Sequence, residues 1–178
     1  METTALRVVR LSPDYEFKPF DCGNDDLNEF LFNDSKDYLK ALLAVTYIIE
    51  TEDDTVAYFS VSNDKITTME TRKSLWRKIK SKFDHRKHRR DYPAVKVARL
   101  AVNKKYQNSY VGTYIMDFIK QMFVKNNRTG CAFITVDALQ EALNFYIKNG
   151  FRQLDTDQAD STVHMYYNLQ TTQLTETC

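Results

Sequence analysis

The sequence predicts a mixed α/β fold, a sheet with helices on both faces in a single domain of 178 residues. Short β-branched and aromatic runs alternate with stretches whose apolar residues recur at helical spacing. Only four glycines and three prolines are present, so long elements joined by tight connections are expected. The length suits one domain and is enough to bury a core without staples.

Residues 5–11, ALRVVRL, read as a first strand, and 21–43 as one or two helices. Asp26 and Glu29 have the spacing of a capping pair, and Leu27, Phe30 and Leu31 supply apolar positions. Residues 44–50 and 55–62 are β-branched and aromatic around TEDD, the pattern of an antiparallel hairpin. In 72–83, Leu75, Trp76, Ile79 and Phe83 share one helical face. Residues 84–91 break that pattern and read as a loop closing at Pro93. Residues 94–102 read as a strand, and 112–125 as a helix burying Ile115, Phe118, Ile119 and Met122. A buried strand over 131–138 and a helix over 139–149 follow, with Gly150 as its cap. FRQL and 162–169 read as closing strands.

The three cysteines, Cys22, Cys131 and Cys178, have neither an even count nor ligand spacing, which argues against a disulfide framework or a zinc site. His85 and His88 beside Asp84 lack a third strong ligand and sit among cations, so no metal is expected. The N-terminus lacks a signal-like apolar stretch and no run is long enough to span a bilayer. The expectation is a cytoplasmic protein with no membrane partner.

The net charge of +1 hides an asymmetry. Residues 72–90 hold ten Lys or Arg against one acid, Asp84, for a local +9, while the remainder carries −8. Arg72, Lys73, Arg77, Lys78, Lys80, Lys82, Arg86, Lys87, Arg89 and Arg90 form a candidate polyanion-binding surface. Runs of charge are more often solvated helix faces. Trp76, the only tryptophan, is expected to anchor this helix rather than stack on a base.

Between strand 94–102 and the helix after it lies KKYQNSYVGTY. A helix start exposes unpaired N–H groups and the positive end of its dipole, so it is a ready anion site. Spacing alone fits a plain polar loop better, since Gly112 is its only glycine.

The segment ARLAVNKKYQNSYVGTYIMDF resembles the pyrophosphate-binding segment of the GNAT superfamily of acetyl-CoA-dependent N-acetyltransferases. Gln107 and Gly112 match that motif, while Asn108 and Tyr110 stand where the family commonly has glycine. A second stretch, DALQEALNFYIKNGF, resembles the family's closing signature through Ala142, Phe145, Tyr146, Gly150 and Phe151, with Leu139 where Asn is frequent. The opening FKPFDCGNDDLNEFL, followed by TYII and AYFSVS, is similar to a branch that includes toxins of toxin–antitoxin pairs.

The resemblance implies a mostly antiparallel sheet with one splayed strand pair that binds acetyl-CoA as co-substrate. A basic helical insertion over about 64–91 departs from it. Main-chain groups at Leu100, Ala101 and Val102 would meet the pantetheine arm, and amides of Gln107, Asn108, Ser109, Tyr110, Val111, Gly112 and Thr113 the phosphates. Tyr146 would act as the acid for the departing thiolate. Its own spacing with Leu139, Ala142, Leu143 and Ile147 favours a core stripe, and only the resemblance reverses that reading. No base is identifiable, because Glu50, Glu52 and Asp137 sit at strand ends where charges are ordinarily solvated.

The implied activity is transfer of acetyl from acetyl-CoA to a primary amine by direct attack in a ternary complex. One alternative is a toxin that acetylates the amino group of aminoacyl-tRNA and pairs with an antitoxin. Another is an inactive GNAT-derived module that binds nucleic acid through its basic segment. Relatives of this kind are often homodimers.

Overall fold

The computed structural model describes residues 6–68, 71–83, 89–125, 129–154 and 161–175. In chain order the elements are β1 (Arg7–Arg10), α1 (Asp25–Glu29), α2 (Ser35–Lys40), β2 (Val45–Glu50), β3 (Thr55–Thr67), α3 (Lys73–Lys80) and β4 (Asp91–Val102). There follow α4 (Val111–Val124), β5 (Phe133–Leu139), α5 (Leu143–Lys148), β6 (Arg152–Gln153), β7 (Thr162–Asn168) and α6 (Gln170–Thr175). The strand order is β1-β2-β3-β4-β5-β7-β6. β1 with β2, β2 with β3, β5 with β7 and β6 with β7 are antiparallel, and β4 with β5 is parallel. This is the mixed, mostly antiparallel sheet that the sequence predicts.

Contacts group the chain into two compact units. The first comprises Met1–Ser62 and Val97–Ile115, the second Asn63–Lys96 and Met116–Cys178.

In the first unit, α1 and α2 are joined through a π-helical turn at Phe30–Asp34. The wider turn advances the register so that adjacent Phe30 and Leu31 and, further on, Ser35 are all buried. Phe30 and Leu31 join Leu11, Phe20, Ile48, Tyr58 and Ala101 in one apolar cluster. Asn24, not Asp26, caps α1, its side chain accepting from the Leu27 N–H at 3.1 Å. Asp25 and Asp26 fall in the first turn instead, where they complement the helix dipole.

In the second unit, Ile66, Trp76, Ile79, Tyr92, Ala94, Phe133, Leu154 and Tyr166 form the core. The basic helix α3 buries only Trp76 and Ile79 and leaves Arg77 and Lys78 exposed. Trp76 lies 5.4 Å from Tyr92 between ring centroids, an anchor as predicted.

The bounds of the insertion differ from the expectation. β3 continues to Thr67, because Asn63, Asp64 and Lys65 are strand residues that alternate with buried Ile66 rather than a turn. β4 begins at Asp91 and contains Pro93, whose missing N–H is tolerated while its carbonyl accepts from Ala132 N–H at 2.9 Å. Residues 84–88, with Asp84, His85, Arg86, Lys87 and His88, lie outside the described residues.

In α4 the buried apolar side chains are Ile115, Met116 and Ile119, and Phe118 is 40% exposed. The stripe runs one residue off the predicted one because Met116, not Phe118, completes the i, i+1, i+4 face. Gly150 does end α5: at φ +85° it lets its own N–H reach Ile147 O and the Phe151 N–H reach Tyr146 O, both at 3.0 Å. α6 follows β7 without a counterpart in the sequence reading. Among the described residues no helix is long and apolar enough to cross a membrane.

Candidate active site

The loop after β4 is built wholly within the first unit. Buried Asn103 ends the strand, donating from Nδ2 to Thr55 O at 3.0 Å and accepting from the Lys105 N–H at 3.1 Å. That caps a single 3₁₀ turn at Lys104–Tyr106. The side-chain amide of Gln107 then donates to Val102 O and Cys22 O, each at 2.9 Å. It ties the loop to the strand it leaves and to the segment before α1. Lys104 Nζ lies 2.9 Å from Asp21 Oδ2, and this contact with its neighbours holds the Asp21 carboxyl down at about 2. Lys105 pairs with Asp54 at 2.9 Å.

Asn108 and Tyr110 take left-handed backbone, at φ +60° and +62°. Glycine reaches that region freely and other residues at a cost. The loop thus has the winding of a glycine-rich turn without the glycines. Helix α4 starts at Val111, so the amides of Val111, Gly112 and Thr113 have no partner within the helix. Ser109 and Tyr110 are exposed, Tyr110 to 78%. Leu100 and Val102 are half-buried and Ala101 is buried at the end of β4.

The parallel ladder of β4 with β5 covers Ala94–Phe133, Val95–Ile134 and Lys96–Thr135. β5 continues to Leu139 paired with β7.

In the second unit Tyr146 on α5 is 8% exposed, packed edge-on to Phe145 and Phe151 at 5.1 and 5.4 Å. Leu139 and Ile147, expected beside it in an apolar stripe, are exposed. Its hydroxyl has no hydrogen-bond partner among the described residues. Burial alone pushes its pKa up to about 12, so it keeps its proton throughout the neutral range. It is a donor without an acceptor.

Phe151 in turn touches Tyr167 on β7, ring centroids 5.6 Å apart. Tyr166 belongs to the core under α3. Successive strand residues point to opposite faces, so α5 with Tyr146 and α3 cover opposite faces of the second unit's strands. On the α3 face the apolar core gives way to a polar concavity lined by Asp64, Lys65, Lys96, Thr135, Asp137 and His164. Asp137 accepts at one carboxylate oxygen from His164 Nδ1 and at the other faces Lys96 Nζ. Thr135 donates its hydroxyl to Asp64.

Of the polyanion-binding candidates, Arg72, Lys73, Arg77, Lys78, Lys82, Arg89 and Arg90 are exposed and Lys80 is half-buried. Glu50 is unsuited to act as a base. Burial works to raise its pKa, yet hydrogen bonds from Tyr15, Lys18 and Arg7 together hold it below the usual value. It is fully engaged in a structural knot, with Arg7 Nη2 at 2.6 Å. Glu52 is exposed. Burial raises the thiol of Cys22 and pushes Cys131 up to about 11, so neither is an activated nucleophile. No group of three or more metal-ligating side chains occurs among the described residues.

A strand, an anion-ready turn and a helix, followed by a parallel strand and a helix bearing a buried tyrosine, are the order of elements that the GNAT resemblance implies. Residues 82–167 match the family model described as the acetyltransferase (GNAT) domain. No curated protein matches the sequence. Among solved structures, a Tyr→Phe variant of KacT is similar at 20% identity with a TM-score of 0.79, over 96% of this chain and 98% of that one. AtaT complexed with acetyl-methionyl-tRNAfMet is similar at 18% identity and TM-score 0.74, over 97% and 99%. A Tyr→Phe variant of the AtaT toxin, bound to the C-terminus of its antitoxin AtaR and to acetyl-CoA, matches at 18% and 0.69, over 97% and 99%. At such identities the likeness establishes the fold, and the fold expected from the two quoted motifs is borne out.

Proposed function

We propose that this chain transfers acetyl from acetyl-CoA to the amino group of an aminoacyl-tRNA. The observation that carries this reading is that the basic helix α3 and the polar concavity share one face of the second unit. Cations that grip phosphates are thereby set beside a site polar enough for an amine. A small free amine would need no such surface, whereas a polyanionic acceptor gains affinity from each neutralised phosphate. AtaT, similar in fold, has been captured with an acetylated aminoacyl-tRNA, which supports the same acceptor class here.

Within this reading the residues divide the work. Unpaired amides at Val111, Gly112 and Thr113, with the turn formed by Asn108, Ser109 and Tyr110, hold the coenzyme's diphosphate. Gln107 acts by fixing the loop rather than by touching phosphate, since both its amide bonds go to main-chain carbonyls. Edge groups of Leu100, Ala101 and Val102 align the pantetheine arm. Tyr146 donates its hydroxyl to the sulfur as the carbon–sulfur bond breaks. A phenol at about 12 is a poor proton source for a thiolate but a good hydrogen-bond donor to one. A tRNA acceptor places the protein in the cytoplasm, with an antitoxin as a protein partner.

The test is to incubate the purified chain with radiolabelled acetyl-CoA and either charged or uncharged tRNA. Label should enter charged tRNA only, and its incorporation should fall steeply with salt. Label entering polyamines or peptides while charged tRNA stays blank would overturn the reading.

A further inference from the structure

We infer that the polar concavity of the second unit is the acceptor-amine subsite, and that His164 takes the proton from the incoming ammonium. This rests on the acetyltransferase reading above and deepens it.

The geometry is that of an oriented imidazole. His164 on β7 and Asp137 on β5 are direct cross-strand partners. Asp137 faces Nδ1, so the N–H of the neutral ring sits on Nδ1 and the lone pair on Nε2. Nε2 has no partner among the described residues, and the side chain is 56% exposed, so an acceptor can reach it. The other oxygen of Asp137 is occupied by Lys96. Both oxygens are therefore committed, and Asp137 is a positioning residue rather than the base.

Charge in the concavity favours a cationic ligand. Lys96 is matched by Asp137, and Lys65 on β3 faces Asp91 of β4 at 3.8 Å. Asp64 has no ion-pair partner among the described residues and accepts only from Thr135. That leaves one carboxylate to attract an ammonium beside one imidazole able to deprotonate it. Thr135 and Lys96 form the last pair of the β4–β5 ladder, and Asp137 lies two residues beyond it. The subsite therefore abuts the point where the parallel pairing ends. Tyr146 belongs to the opposite face of the same strands, so the proton acceptor and the sulfur's donor approach the reacting carbonyl from two sides.

The ammonium gives one proton to His164 Nε2, and the freed nitrogen lone pair attacks the thioester carbonyl carbon. The new carbon–nitrogen bond forms as the carbon–sulfur bond breaks, its electron pair leaving on sulfur. The second proton lost by nitrogen goes to that sulfur, and the imidazolium releases the first to solvent.

Two measurements test this separately from the acetyltransferase reading. His85, His88 and His164 are the only histidines, so the imidazole proton resonances can be assigned by single substitution. Titrating the protein with an amino-acid amide should move the His164 resonance in the native chain, and the movement should be lost in Asp64→Asn. In kinetics, His164→Gln should lower kcat/KM on the order of 10²-fold and abolish the rise of rate with pH, while acetyl-CoA affinity by calorimetry stays within twofold. Asp137→Asn should shift the midpoint of that rise rather than remove it. The groups facing the ring in such a profile are Asp64 and Lys65 on β3, Lys96 on β4 and Asp137 on β5. A His164 resonance unmoved by saturating amine, or a pH profile unchanged in His164→Gln, would overturn the proposal. A chain that shifts the resonance yet acetylates no amine would uphold the subsite and remove the acetyltransferase reading instead.

Discussion

Asn108 and Tyr110, two residues apart, both hold left-handed backbone, at φ +60° and +62°. Asparagine tolerates that region, but a tyrosine there carries strain of about 1–2 kcal/mol. With 78% of Tyr110 exposed, little packing offsets it. Tyr110→Gly should therefore stabilise the folded chain by about 0.5–1 kcal/mol, once the greater chain entropy of glycine is deducted. Denaturant melts read this directly, and acetyl-CoA affinity should be unchanged because the amides keep their positions. Asn108→Gly should gain less.

The strand and helix pattern was legible because period and burial coincide over most of the chain. It misled where polar residues continue a strand, as at Asn63–Lys65, and where two acids mimic a cap that Asn24 provides. The loop was recognisable through Gln107 and Gly112, but the left-handed winding at Tyr110 was not, since no local pattern asks a tyrosine to adopt it. The cluster of Asp64, Lys96, Asp137 and His164 escaped for a different reason. Its members come from β3, β4, β5 and β7, and only the pairing of those strands brings them to one face. Asp137 drew notice alone, as a strand-end acid. A buried tyrosine in α5 was legible, but not that its neighbours Leu139 and Ile147 would be exposed.

Gly23 supports the loop after β4 from outside it. Its φ is +85°, and a Cβ there would stand 2.7 Å from Lys104 Cε. The lysine end can swing aside, but only by leaving Asp21, and the backbone strain has no such escape. Gly23→Ala should cost about 1–2 kcal/mol. It should also weaken acetyl-CoA binding, because neighbouring Cys22 supplies one of the two carbonyls that hold Gln107. Calorimetry and thermal melting of the same variant separate the two effects. The Asp21–Lys104 contact adds a pH signature. A carboxyl depressed to about 2 stabilises the fold above its unfolded value near 4 and loses that contribution as pH falls from about 4 to 2. In Lys104→Met this part of the acid limb should flatten.

Charge reversal on α3 should separate acceptor binding from coenzyme binding. Arg77 and Lys78 are exposed, and the helix is held by Trp76 and Ile79 on its other side. Arg77→Glu with Lys78→Glu should leave the melting temperature nearly unchanged. The double variant should raise the dissociation constant for tRNA at least tenfold and lower the slope of log affinity against log salt. Acetyl-CoA affinity should not move. Filter binding at several salt concentrations reads both quantities, and an unaltered slope would remove α3 from the acceptor surface.

Tyr146→Phe removes one oxygen from a buried ring that makes edge contacts at 5.1 and 5.4 Å. Those contacts survive the change, and the hydroxyl has no partner to leave unpaired, so stability near neutrality should be almost unaffected. The rate should fall on the order of 10²-fold with acetyl-CoA affinity preserved, because the lost donor acts only as charge gathers on sulfur. High pH provides an independent check on the same group. Its pKa is about 12 in the fold against 10 unfolded, so its contribution is fully present below pH 10 and is lost as pH rises towards 12. Burial raises Tyr15, Tyr58, Tyr92 and Tyr166 in the same direction, the first with help from Glu50, so the native chain should weaken steeply above pH 10. Tyr146→Phe should weaken less steeply there while remaining the slower enzyme at pH 8. If instead the variant keeps its full rate with charged tRNA, the hydroxyl serves only packing and the leaving sulfur is held elsewhere.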